Sequence, residues 1–141
     1  MQLKTVVWVT AYRRTCAAAG AFATIAQHGD DDFGQVLIKV HDGAGKCRLF
    51  EPVSAYELDD RDQLLWREVS PGVDRGAAEA SEPPGSDIWS EAACDAVLDR
   101  RSATDRDVWV VEVLDPGLAD HLGDWKQSAV ANIAWPPALN G

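Results

Sequence analysis

Residues 35–53 read QVLIKVHDGAGKCRLFEPV, and this stretch decides the fold. Over Gln35–His41, Val36, Ile38 and Val40 alternate with Leu37 and Lys39, the period of two that belongs to a β-strand. Asp42-Gly43-Ala44-Gly45 then supplies a hairpin loop, because glycine accepts the positive φ that such loops use. Lys46 to Val53 returns as a second strand, with Cys47, Leu49 and Glu51 opposite Arg48 and Phe50. Pro52 limits its length.

Toward the N-terminus, Ala21 to His28 reads as a strand. Phe22 and Ile25 do not alternate cleanly, which predicts a twist or bulge at one end. Gly29 to Gly34 is a turn, with Gly34 expected to be needed for its backbone angle. Before it, Trp8, Tyr12 and Cys16 recur at helical spacing, so residues 3–19 read as a helix stopped by Gly20.

Toward the C-terminus, Gln63 to Val69 is a strand and Ser70 to Asp87 a long surface loop. Ser86 or Asp87 caps a helix with Trp89, Ala93, Ala96, Val97 and Arg100 as its stripe. Asp107 to Leu114 is apolar on both faces, which predicts a central strand. Leu118, Leu122, Trp125, Ala129 and Ile133 then form the stripe of an amphipathic helix, ended by Trp135-Pro136-Pro137.

Strands joined by short loops are most easily antiparallel neighbours. The expectation is an α+β fold: a mostly antiparallel sheet of about five strands, with helices packed on one face. Residues 1–116 form a single domain. Residues 117–141 are a helix and tail packed on that domain or on a partner.

Composition narrows the function. The chain has 141 residues and a formal charge of -10, from 13 basic and 23 acidic side chains. That field repels nucleic acid and anionic membranes, and no basic cluster offsets it. No apolar run can span a bilayer. Arg13-Arg14 stand where a leader's cleavage site would fall, so a cytoplasmic location is expected. Three cysteines at 16, 47 and 94 build no framework of bridges.

Several segments resemble one family: WVTAYRR at 8–14, AGAFATIAQHGDDDFGQVLIKV at 19–40, RLFEP at 48–52 and DRRSATDRDVWVVEV at 99–113. Together they are similar to domain of unknown function family 1491, small bacterial proteins, over roughly residues 3–114. The resemblance implies a leading helix, a hairpin and a Trp-containing last strand. It carries no catalytic or cofactor-binding residues to transfer. It also implies that 115–141 lies beyond the family's usual end.

Candidate chemistry is sparse. His28, Asp30, Asp31 and Asp32 are the densest group of ligand types, but the spacing is not that of a calcium loop. A solubilising acidic turn is the simpler reading, and neither a metal nor a cofactor is expected. No nucleophile elbow or phosphate loop is present. Glu112 sits amid apolar neighbours on a strand and must be paired or face water. Arg13, Arg14, Lys39 and Arg100 are its candidate partners.

His28, Asp30, Asp32, Glu112 and Arg13 are therefore the candidate binding residues. Trp66, Leu118, Leu122 and Trp125 are the candidate interaction surface, since tryptophan favours interface cores. The expected function is a protein-interaction or regulatory module, with a second copy or an unidentified protein as partner, and enzymatic activity is not favoured. The alternatives are a small metal-dependent hydrolase at the acidic turn beside His28 and a small-molecule binding module.

Overall fold

The computed structural model describes residues 4–53, 64–71 and 88–127. Helix α1 spans Thr5–Ala18 although its first turns, TVVWV, are β-branched and poor helix formers. Its start is held from outside. The Thr5 and Val6 N–H groups donate to the carbonyls of Asp32 and Asp31, and the Thr5 hydroxyl donates to Gly34 O at 2.8 Å. Gly20, at φ +87°, then turns the chain into the first strand.

The strands are β1 (Phe22–Gln27), β2 (Val36–His41), β3 (Lys46–Pro52), β4 (Trp66–Val69), the two-residue β5 (Trp89–Ser90) and β6 (Trp109–Leu114). Their order is β1-β6-β2-β3-β4, with β5 beside β3. The hairpin read at 35–53 is present, with Ile38 opposite Phe50 and His41 opposite Cys47. β1 carries the expected irregularity between Ile25 and Gln27. β6 is central, as its two apolar faces require. The sheet is mostly antiparallel, and the fold is α+β.

Two features of that sheet differ from expectation. β1 and β2 are not neighbours: β6 lies between them, antiparallel to β1 and parallel to β2. The turn at 28–34 makes room for it. Asp30 N–H donates to Asp107 O, and Trp109 N–H donates to Gln35 O, so the chain entering β6 is bonded into that turn. Gly29 and Gly34 permit the approach, because a Cβ on either would collide with the Asp107 carbonyl. Gly34 is thus needed for close packing and not for a positive φ.

The second difference is that both faces are covered. Trp8, Val9, Tyr12 and Cys16 of α1 pack on Val36, Ile38, Val40, Trp109, Val111 and Val113. Helix α2 (Glu91–Thr104) packs Ala93, Cys94, Val97 and Leu98 on Leu37, Cys47, Leu49 and Val110 of the opposite face. Ser90 caps α2 by accepting from the Ala93 N–H, in place of Ser86 or Asp87. Trp89 belongs to β5, opposite Cys47, and donates its Nε1–H to Val69 O.

The amphipathic helix expected from Leu118 onward is absent over 118–127. Leu118 and His121 have φ of +59° and +56°, which an α-helix cannot contain. Asp115 takes the Gly117 N–H and pairs with His121 at 2.6 Å, and Asp120 takes the Leu122 N–H. These side-chain bonds to nearby backbone compete with helix formation. A short 3-10 turn at Gly123–Trp125 follows, and Lys126 bridges to Trp66. The surface loop beyond residue 71, Ala129, Ile133 and Trp135 lie outside the described residues.

Candidate functional site

Lys39 points from β2 toward α2 and is only 4% exposed. A buried ammonium needs counter-charges, and three are present. Its Nζ donates to Glu91 Oε2 and Asp95 Oδ1, both at 2.8 Å, and lies 3.0 Å from Glu112 Oε2. Burial works to push the ammonium down, but the bonds from Asp95, Glu91 and Glu112 outweigh it and raise the pKa. Glu91 is correspondingly held below its ordinary value by Lys39. Three carboxylates around one ammonium leave the cluster with excess negative charge.

His41, two residues on, has Nε2 3.8 Å from the same Glu112 oxygen and a buried Nδ1 without a partner among the described residues. A cleft of about 310 Å³ opens beside the cluster, lined by Gln27, Lys39, Asp95, Asp99, Ser102 and Glu112 among others. Among the described residues α2 packs chiefly on β2, β3 and β5, with the cleft between it and the end of β1. Beside the cleft, Phe22 stands opposite Leu114 and Thr24 opposite Glu112. Phe22 is 67% exposed and Leu114 37%.

Glu112 is therefore paired, and its partner is Lys39. Arg13 is elsewhere, donating from Nε to Ala23 O. His28 and Asp30 do not join Glu112. His28 bonds Asp31 at 2.7 Å and lies 4.0 Å from the Trp109 ring. Asp30 accepts from the N–H groups of Asp32 and Phe33, and Asp32 faces Lys4 at 3.6 Å. Each carboxylate of the acidic turn thus has its own local partner. Among the described residues no group of three or more His, Cys, Asp or Glu could hold a metal ion.

The expected interaction residues divide. Trp66 and Leu122 are core residues, unavailable to a partner. Trp66 stacks on Trp8 at 3.9 Å and donates its Nε1–H to Val36 O. Leu118 and Trp125 are partly buried against the same core. Trp125 meets the Trp8 ring edge-on at 5.2 Å. Cys47 and Cys94 touch in the other core, where their mutual hydrogen bond and burial raise the Cys94 thiol.

Sequence reasoning missed the gathering of Glu91 and Asp95 on Lys39 and the pairing of Phe22 with Leu114. One signal was available: a lysine inside VLIKV cannot be buried without acids nearby. Among the described residues no helix is long and apolar enough to cross a membrane.

The family model described as Protein of unknown function (DUF1491) matches residues 3–122. The match runs past 114, so the stretch from Asp115 to Leu122 lies within the family and not beyond its end. No curated protein matches. The crystal structure of a DUF1491 family protein from Caulobacter crescentus CB15 aligns with a TM-score of 0.65 and 29% identity, covering 89% of this chain and 99% of that one. An NMR structure of a DUF1491 family protein from the same organism gives a TM-score of 0.65 and 31% identity, covering 91% and 99%. Protein Atu0922 from A. tumefaciens shares the fold, with a TM-score of 0.58 at 24% identity over 82% of this chain and 87% of that one. With its matched stretch running from the leading helix through the last strand to Leu122, the chain belongs to the DUF1491 family of proteins of unknown function.

Proposed function

We propose that this protein is a protein-interaction module that docks a basic, amphipathic segment of another protein on the β1–β6 half of the sheet. The observation that carries this reading is the juxtaposition of two exposed apolar side chains, Phe22 and Leu114, with the acidic cleft at Glu112, Asp95 and Asp99. Exposed apolar groups rimmed by charge mark docking surfaces. The excess negative charge selects a cationic partner, and long-range attraction between opposite fields speeds the encounter. A second copy is the poorer occupant, because each copy carries a formal charge of -10 and would set carboxylates against carboxylates.

The test is a photo-crosslinking amino acid placed in turn at positions 22, 114 and 7, in protein made in its own host. Val7 is exposed on α1 and serves as the control. A discrete adduct is expected at 22 and 114, absent at 7, and weakened by Asp99→Lys and by salt. Equal labelling at all three positions, or an adduct of twice the chain mass, defeats the proposal.

A further inference from the structure

β1 is an edge of the sheet, and its register fixes which backbone groups face outward. The N–H groups of Trp109 and Asp115 donate to Gln35 O and His41 O on the β2 side. Backbone direction alternates along a strand, so the odd-numbered residues of β6 turn toward β2. Val110, Glu112 and Leu114 turn toward β1. Phe22 and Thr24, opposite Leu114 and Glu112, are therefore the residues bonded to β6. Ala23 and Ile25 turn their N–H and C=O groups outward. The Ala23 carbonyl accordingly accepts from Arg13 Nε at 3.3 Å.

The N–H groups of Ala23 and Ile25 have no partner among the described residues. The internal breaks in the described chain, and its end at Gln127, adjoin β3, β4 or β5 across the sheet. An open edge is a template for another strand, and proteins usually block it with charge or proline. β1, FATIAQ, has neither, and its bulge comes only after Ile25. The two sides of this edge differ in charge. The Ala23 and Ile25 side chains pack toward α1, which carries Arg13. Phe22 and Thr24 face the other way, beside Glu112 and the cleft with Asp95 and Asp99. A strand laid along β1, about 4.8 Å away, alternates its side chains between these two environments.

We infer, resting on the docking reading above, that the basic partner docks by strand addition to β1. An extended segment of another protein accepts from the N–H groups of Ala23 and Ile25. It carries Lys or Arg at alternate positions on the cleft side, and neutral or acidic residues on the Arg13 side. Main-chain bonds hold the segment, and the alternation selects it. The β1 of a second copy fits less well, because FATIAQ brings no cation to the cleft side.

The probe is a short synthetic peptide alternating lysine with threonine, added to 15N-labelled protein. The outward amides of Ala23 and Ile25 exchange without any opening, so only cover at the edge slows them. At about ten times the peptide's Kd they should exchange about tenfold more slowly, following the free fraction. N-methylation of one alternate set of peptide residues should weaken binding at least tenfold, while methylation of the other set is tolerated. Antiparallel addition makes the threonines the sensitive set, and parallel addition the lysines. Binding that shifts Phe22 and Leu114 but slows neither amide, or equal loss from both methylated sets, overturns strand addition and leaves the docking reading standing. Absence of binding at millimolar concentration also overturns it, whereas docking itself is decided by the cross-links at 22 and 114. Ala23 and Ile25 amides that are slow without peptide and quicken on dilution would place a second copy on the edge, which likewise defeats the inference.

Discussion

Lys39 and its three acids are unequal partners, because the ammonium is buried while the carboxylates reach solvent. Glu91, Asp95 and Glu112 side chains are 37%, 50% and 34% exposed. Removing the cation lets them rehydrate; removing the acids strands a charge in the core. Lys39→Met should therefore lower stability by only about 1–2 kcal/mol. The triple variant Glu91→Gln, Asp95→Asn, Glu112→Gln should lose about 3–5 kcal/mol. Urea melts give both values, and the reverse ranking would sink the argument. The pH dependence follows in sign. The folded pKa of Lys39 lies above its unfolded value, so its contribution is complete below about pH 10 and is lost as pH rises through the folded pKa. In the triple variant the carboxylate bonds are gone and burial lowers that pKa, so stability should instead rise with pH up to the unfolded lysine value of about 10.4. That Glu112 needed a partner was legible, since a carboxylate among valines must be paired. Which cation it met was not, because the choice depends on β2 lying parallel to β6.

At the scale of elements, the hairpin at 35–53 was readable because each strand's period and its glycine-rich turn agree. The segment after β6 was misread because three apolar anchors happen to fall at helical spacing. Tyr12 donates to Asp120 O at 2.7 Å and Arg48 to Leu118 O at 2.7 Å, and these bonds fix an irregular strap across the core. No local pattern announces partners about 70 and 108 residues away in sequence. Asp120 is the strap's central acid. Burial works to raise its pKa, but bonds from Lys126 and the Leu122 N–H prevail and hold it low. Asp115 is likewise held low, chiefly by His121. Both therefore stabilise the fold above the ordinary carboxylate range near pH 4 and lose that contribution as pH falls through their folded pKa values. Asp120→Ala should cost about 1–3 kcal/mol at pH 7 and flatten the acid limb of the stability curve. An unchanged acid limb in urea melts from pH 2 to 6 would show that the strap's charge is irrelevant. The turn at 28–34 gives a companion test. Gly34→Ala forces a Cβ against the Asp107 carbonyl and should destabilise by about 1–3 kcal/mol, whereas Gly43→Ala meets only the tip of Leu114 and, at φ +77°, pays backbone strain of about 1 kcal/mol.

For the whole molecule, the decisive fact is that β6, the last strand among the described residues, enters the middle of the sheet. β6 has β1 on one side and β2 on the other; one of its faces is buried beneath α1, and on the other Val110 packs in the α2 core while Glu112 and Leu114 reach solvent. Composition and periodicity identified it as central, but its neighbours follow from the seating of residues 107–109 in the turn at 28–34, a long-range contact that sequence pattern does not encode. The same order explains why the candidate docking face exists. Among the described residues α2 packs chiefly on β2, β3 and β5, and Phe22 of β1, which is added outside β6, is left exposed. Strand order should then set local stability. β2 and β6 have a neighbouring strand on both sides, so their hydrogen-bonded amides should exchange only on global unfolding. Those of β1, an edge strand paired on one side, should open at lower free energy, with the bulge between Ile25 and Gln27 leading. Native-state hydrogen exchange across a low-denaturant series separates the two classes by slope. If β1 amides merged with those of β6 at the same free energy, the sheet would open as a single unit, and the edge on which the proposed partner docks would be as rigid as the core.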